Sequence, residues 1–161
     1  MRQVRGEEAL TCEFWYGCTD TKGNQKRPCW DCYFLGIAAA AKERGDCIRK
    51  KVGAVMVRPD RRAVITGYNG SEPGGPSCLE GECERCLSDV PAGTGYEGCV
   101  EYHAEHNALM WARPEDRIGA TLYVTWEPCG DCRKLIRGVG VAEVVWLDHS
   151  LIRTSIRRWK V

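Results

Sequence analysis

The sequence is short of everything that marks a membrane, fibrous or polyanion-binding chain. No stretch approaches the ~18–20 apolar residues a membrane-spanning helix needs. The opening segment MRQVRGEEALTCEF lacks the apolar centre of a secretory leader, so secretion has no support and a cytoplasmic location is expected. Lys and Arg total 23 against 22 Asp and Glu, a formal charge of +1. That balance gives neither the basic stripe of a nucleic-acid binder nor a surface for an acidic partner. No internal repeat and no low-complexity tract occurs, which excludes solenoid and linker architectures.

What is present in excess is cysteine: eleven in 161 residues. The length suits one domain with a proper core, and 43% hydrophobic with 28% charged residues is ordinary globular composition. In a reducing compartment, cysteines grouped as C-x-x-C bind zinc more often than they form disulfides. Two all-cysteine zinc sites would each add about −2, taking the loaded chain to roughly −3.

Residues 1–29 have no clear period. WDCYFLGIAAAAKERG (30–45) reads as an Ala-rich helix ending at Gly45. KVGAVMV (51–57) and AVITGY (63–68) read as two antiparallel strands joined at RPDRR. Residues 69–99 form a Gly/Pro-rich loop with four cysteines, too long for a compact domain unless something holds it. HAEHNALMWA (103–112) and GDCRKLIRGVG (130–140) read as helices, and ATLYVTW (120–126) and VAEVVWL (141–147) as strands. The tail HSLIRTSIRRWKV reads as a short basic amphipathic helix, leaving four clear strands and a fifth missing or replaced. Strand, helix, strand at the end implies a parallel pairing through a right-handed crossover, hence an α/β sandwich with a mixed sheet.

The chemistry gathers in EYHAEHNALMWARPEDRIGATLYVTWEPCGDC (101–132). His103 and Glu105 begin one helix; Cys129 and Cys132 begin the next. Helix N-termini favour thiolate, the form that binds zinc. One His and two Cys make three protein ligands and leave a fourth position for water, the pattern of a catalytic rather than a structural zinc. Such a water has a pKa near 7. Glu105, two residues from His103 on a helix, is badly placed to ligate the same metal and well placed to move that water's proton. Pro128 ends the strand and fixes the approach to Cys129. The competing reading is a closed structural zinc or a redox pair.

HAE followed by PCGDC is similar to the signature of the zinc nucleobase deaminases. WDCYFLGIA, CIRKKVGAVMV, TGYNG, HAEHNA, GATLYVT and PCGDC, in that order over residues 30–147, resemble the deoxycytidylate (dCMP) deaminase branch of the cytidine and deoxycytidylate deaminase family. The resemblance implies a three-layer α/β/α sandwich on a mixed five-stranded sheet, carrying a Cys-rich N-terminal extension (1–29) before a deaminase domain (30–161) with a Cys-rich insert (69–99). It implies hydrolytic deamination of a cytosine nucleotide, dCMP to dUMP with release of ammonia, with Glu105 as proton carrier. By the same resemblance Asn69 meets a sugar hydroxyl, the Ala104 N–H meets the pyrimidine carbonyl, and Trp126 packs near the base. The plainer roles are a turn asparagine at Asn69 and a core aromatic at Trp126.

The resemblance further implies a structural zinc on Cys47, Cys78 and Cys99, with Cys83 as fourth ligand and Cys86 left over. Cys12, Cys18, Cys29 and Cys32 are not typical of that branch; their spacing points to a third zinc, against a mobile arm of free thiols. A small-molecule nucleotide or nucleoside partner and a homo-oligomer are implied. The chain departs from the branch after TGYNG, where SEPGGPSC stands in place of a stretch bearing a phosphate-end arginine. Glu72 there would repel a phosphate, while Arg113 is a candidate replacement. A modified cytosine nucleotide or nucleoside, or another base, therefore stays open as substrate. A tRNA-editing deaminase or nucleic-acid-binding zinc module is disfavoured by the near-zero charge.

Overall fold

The computed structural model describes residues 11–13, 17–19, 22–62, 64–149 and 154–161. Three very short strands, β1 (Thr11–Glu13), β2 (Gly17–Thr19) and β3 (Gln25–Lys26), pair antiparallel in that order. Helix α1 (Trp30–Lys42) leads to strands β4 (Gly53–Val57) and β5 (Val64–Tyr68). The cysteine-rich loop holds the short helix α2 (Glu84–Leu87) and a 3₁₀ turn at Tyr96–Gly98. Then come α3 (Ala104–Met110), α4 (Pro114–Arg117), β6 (Thr121–Val124), α5 (Gly130–Gly138), β7 (Glu143–Asp148) and β8 (Ser155–Lys160).

The larger sheet runs β5-β4-β6-β7-β8; only β6 and β7 are parallel, joined through α5. Strand β4 is buried along its whole length because both faces are covered, which is why GAVMV reads as a continuous apolar run. On one face Val55, Val57, Tyr123, Val145 and Leu147 pack against Phe34, Leu35, Ala38 and Ala39 of α1. On the other, Ala54, Met56, Leu122, Val124 and Val144 pack against Ala104, Ala108 and Leu109 of α3 and Cys132 and Ile136 of α5. The molecule is thus the expected three-layer α/β/α sandwich with a mixed sheet. Among the described residues no helix is long and apolar enough to cross a membrane.

Two glycines set how closely the helices lie on the sheet. A Cβ on Gly53 would stand 2.6 Å from the Lys42 backbone nitrogen of α1. A Cβ on Gly67 would collide with the Ala104 carbonyl oxygen and stand 2.5 Å from the Ala108 nitrogen of α3. Backbone rests on backbone at both places, with no flexible side chain able to yield.

The tail corrects two expectations. Residues 150–153 of it lie outside the described residues; Ser155–Lys160 is strand β8, antiparallel to β7, and supplies the fifth strand that the sequence reading left out. Its residues alternate across the sheet: Ile156 packs on the α1 side and Trp159 on the α3/α5 side. Its basic residues meet acids rather than solvent alone, Arg157 on Asp148, Arg158 on Glu143 and Asp31, and Lys160 on Glu143. An open edge on β7 and a row of waiting carboxylates outweigh a weak helical period. In the N-terminal segment, read as aperiodic, strands of two or three residues are too short to show a period.

Gly67→Ala tests the close helix seat. It should cost about 1–3 kcal/mol in denaturant unfolding, as core overpacking does, and should lower activity because α3 must lift from β5. Full stability in that variant would contradict the contact.

Candidate metal centre and active site

Two helix starts meet at one end of the sheet. His103 is the N-cap residue of α3 and Cys129 that of α5. The chain enters α3 along a two-way backbone bridge between Gly70 and Tyr102, at 3.2 and 3.1 Å. Asn107 then ties the first turn of α3 back to β5 by donating to Tyr68 O at 2.8 Å and Gly70 O at 3.2 Å. On the other side Thr125 is clamped to Gly53 by N–H to carbonyl at 2.9 Å and by Gly53 N–H to its hydroxyl at 3.0 Å. This fixes the strand end from which residues 126–129 reach α5.

His103 Nδ1 lies 3.2 Å from Cys132 Sγ and 3.5 Å from Cys129 Sγ, and the three donor atoms all fall within 4.8 Å of one another. A tetrahedral zinc with its usual bonds needs nitrogen and sulfur donors roughly 3.6 Å apart and sulfur pairs roughly 3.8 Å apart. The donor set fits zinc in type and in spacing. Hydrogen bonds from Cys132 and His103 hold the Cys129 thiol down to about 3, while the Cys129 contact and burial push Cys132 up. The hydrogen bond to Cys129 raises His103. Protons shared among these three groups are what a metal would displace.

Glu105 is not one of the three donors. It is 4% exposed on the first turn of α3, and burial pushes its carboxyl above the usual range. A buried acid beside an open three-donor set can take and return a proton.

A cavity of about 550 Å³ opens over this corner, within the range of small-molecule sites. Ala104, Asn69 and Trp126, the three residues picked out for substrate contact, all line it. Trp126 is 40% exposed, so it is not a core aromatic; its ring stacks on His149 and carries the Lys50 ammonium at 3.5 Å. Asn69 is buried, and its amide is largely spent on the protein. Oδ1 accepts from Val52 N–H at 2.7 Å, and Nδ2 donates to Lys50 O at 3.0 Å and Glu101 Oε2 at 2.8 Å. What it can offer a ligand is the second lone pair of Oδ1. Arg113 does not line the cavity.

Glu101, Tyr96 and Arg85 are among the wall residues that sequence reasoning missed. Glu101 is 8% exposed, its Oε1 has no partner among the described residues, and burial pushes its carboxyl up. Tyr96 stands edge-on to His103 with ring centroids 4.6 Å apart, and the Arg85 guanidinium lies 4.4 Å over the Tyr96 ring. The available signal for Glu101 was an acid two residues before His103; Tyr96 and Arg85 carry no periodic signal.

The ten cysteines whose side chains are described fall into three groups. Cys47, Cys78 and Cys86 form one triad and Cys83, Cys86 and Cys99 another, so Cys86, left over in the sequence reading, belongs to both. Cys47 and Cys86 sulfurs are 3.7 Å apart and Cys83 and Cys99 3.9 Å, again near zinc-ligand spacing. Asp46 pins the cluster by accepting from Cys78 N–H at 2.7 Å and the Ser77 hydroxyl at 3.1 Å. Burial pushes Cys78 up to about 12 and raises Cys86 and Cys99; at Cys83 burial is outweighed by the Val100 and Cys86 amides. Cys18, Cys29 and Cys32 form the third group, with Cys29 N–H donating to Cys18 Sγ at 3.2 Å and Cys32 N–H to Cys29 Sγ at 3.4 Å. The side chain of Cys12 lies outside the described residues; its backbone pairs with Cys18 across β1 and β2.

Three-donor metal corner, buried acid and sandwich together define a zinc deaminase, and the chain belongs to the cytidine and deoxycytidylate deaminase family: residues 28–148 match its zinc-binding region. Within the family it is similar to enzymes named deoxycytidylate deaminase. It is 52% identical over 129 residues to that of Mycobacterium phage D29, covering 77% of this chain and 98% of that one. It is 42% identical over 125 residues to that of Schizosaccharomyces pombe, covering 76% of this chain and 38% of the other. Among solved structures, the dCMP deaminase of cyanophage S-TIM5 in apo form superposes with a TM-score of 0.54 at 25% identity, over 75% of this chain and 84% of that one.

Removing one donor should empty the corner. His103→Ala and Cys132→Ala are each expected to lose one zinc equivalent relative to wild type in metal analysis of purified protein. Unchanged zinc content in both would contradict the assignment.

Proposed function

We propose that this chain hydrolyses the exocyclic amine of dCMP, giving dUMP and ammonia. The observation that carries this is the buried Glu105 beside the His103, Cys129 and Cys132 donor set on the floor of a nucleotide-sized cavity. Sequence identity of 52% to an enzyme named deoxycytidylate deaminase favours the nucleotide over other cytosine compounds.

A zinc ion on those three residues would supply Lewis acidity, bringing water to deprotonation near neutral pH. The chain's residues do the rest. Glu105 takes a proton from the attacking water and delivers it to N3 of the ring. As the C4–N bond breaks, it passes the second water proton to the departing amine, so water and dCMP leave as dUMP and ammonia. The Ala104 N–H, at the start of α3, donates to the pyrimidine carbonyl. Trp126 bounds the base side. The second Oδ1 lone pair of Asn69 and the orphaned Oε1 of Glu101 accept from sugar hydroxyls.

On the same reading, residues 30–161 are the deaminase domain and 1–29 an extension. A structural zinc lies among Cys47, Cys78, Cys83, Cys86 and Cys99, holding the 69–99 insert beside the cavity, and a further one lies among Cys18, Cys29 and Cys32 with Cys12. The Cys18 group sits at the start of α1, near the β4–β5 turn, where Arg61 lies over Trp30. That is the end of β4 away from Gly53 and the cavity. A homo-oligomer working in the cytoplasm completes the proposal.

Ammonia release should be measured with dCMP, CMP, deoxycytidine, cytosine and guanine. dCMP should be the best substrate, and Glu105→Gln should lower its turnover by about 10²–10⁴-fold with zinc retained. Turnover of nucleosides but not monophosphates would defeat the substrate assignment, and an active Glu105→Gln enzyme would defeat the mechanism.

A further inference from the structure

The cavity wall holds three cations, Arg49, Lys50 and Arg85, and none has a carboxylate within ion-pair reach among the described residues. This is unexpected in a chain of formal charge +1, where acids nearly equal bases. The acids that share the wall are committed elsewhere: Glu127 pairs with Arg133, Glu101 accepts from Asn69, and Glu105 sits beside the metal donors.

Arg85 is the most telling of the three. It is 8% exposed, and a guanidinium does not lose its charge on burial. Its Nε and Nη2 both donate to Thr94 O, at 3.0 and 2.8 Å, and its face stacks on Tyr96. A carbonyl and a ring leave donors on Nη1 and Nη2 unspent and no anion to balance the charge. Arg49 spends Nη1 on Val90 O at 2.8 Å, and Lys50 rests on Trp126. All three are held in place by neutral groups, the condition of cations awaiting an anionic ligand.

We propose that Arg49, Lys50 and Arg85 form the subsite for the 5′-phosphate of the substrate, with Arg85 as its buried anchor. The proposal rests on the dCMP reading above and supplies the phosphate contact that the segment after TGYNG lacks. A phosphate placed there gains charge-assisted hydrogen bonds and neutralises a buried cation. The anchor comes from the cysteine-rich insert: Arg85 sits on α2 between Cys83, its N-cap residue, and Cys86. The thiol cluster that orders this insert therefore also aims the residue that reads the phosphate. The base goes to the His103 corner, and the sugar spans Asn69, whose Nδ2 already holds the Lys50 carbonyl.

The experiment measures kcat and KM for dCMP and for deoxycytidine with wild type, Arg49→Ala, Lys50→Ala, Arg85→Ala and Arg85→Lys, zinc content being checked in each. The ratio of kcat/KM for dCMP to that for deoxycytidine should fall roughly 10–100-fold in Arg85→Ala and by a smaller factor in Arg49→Ala and Lys50→Ala. The loss should lie mainly in KM, with Arg85→Lys recovering part of it. If Arg85→Ala loses zinc or fails to fold, the two rim variants carry the test through the same ratio. An unchanged ratio overturns the proposal, as does an equal loss on both substrates, which would mark a merely structural role. Wild-type enzyme that deaminates deoxycytidine but not dCMP overturns the dCMP reading and this subsite with it. Wild-type enzyme active on dCMP with an unmoved ratio overturns the subsite alone.

Discussion

The contact on which the rest depends is the meeting of two helix starts at one edge of a buried sheet. His103 caps α3, Cys129 caps α5, and neither donor is near the other in sequence. Their convergence requires α3 to lie directly on β5, which the absence of a side chain at Gly67 permits. It also requires the chain after β6 to be held by Gly53 and Thr125. Once both helices are seated, their positive ends and unpaired N–H groups favour thiolate and anionic partners at the same corner. The same device recurs: Cys29 caps α1 and Cys83 caps α2, so each of the three cysteine-bearing clusters includes a helix N-cap residue.

The clusters divide the work by ligand number. The His103 corner offers three donors and a neighbouring buried acid, leaving room for chemistry. The insert and Cys47 together offer five thiols, more than a tetrahedral ion can use, and burial raises most of them. Such thiols gain from a metal that takes their protons and closes a long Gly/Pro-rich loop. The loop is not passive, because it brings Arg85 and Tyr96 to the cavity wall.

Much of this was legible in the sequence for definite reasons. GAVMV is apolar throughout because both faces of β4 are covered, and the metal corner shows because histidine, acid and C-x-x-C fall at helix starts. Other parts were hidden. β8 places Ile156 and Trp159 on opposite faces and owes its pairing to the β7 edge and to Asp148 and Glu143, which no local window reveals. Arg85, Tyr96 and Glu101 lie in or after an aperiodic loop whose path is set by cysteines far apart in sequence. Cys86 looked dispensable by spacing and stands at the centre of its cluster, because the turn of α2 brings it back beneath Cys83.

The central claim is that the corner built from α3 and α5 is an open, three-ligand zinc site. Diffraction recorded at the zinc absorption edge from crystals of the whole chain tests it most directly. The account predicts an anomalous peak bonded to His103 Nδ1, Cys129 Sγ and Cys132 Sγ, with no fourth protein ligand and Glu105 beside the remaining position. A fourth side chain closing that ion, or a peak only within the other cysteine clusters, would contradict it.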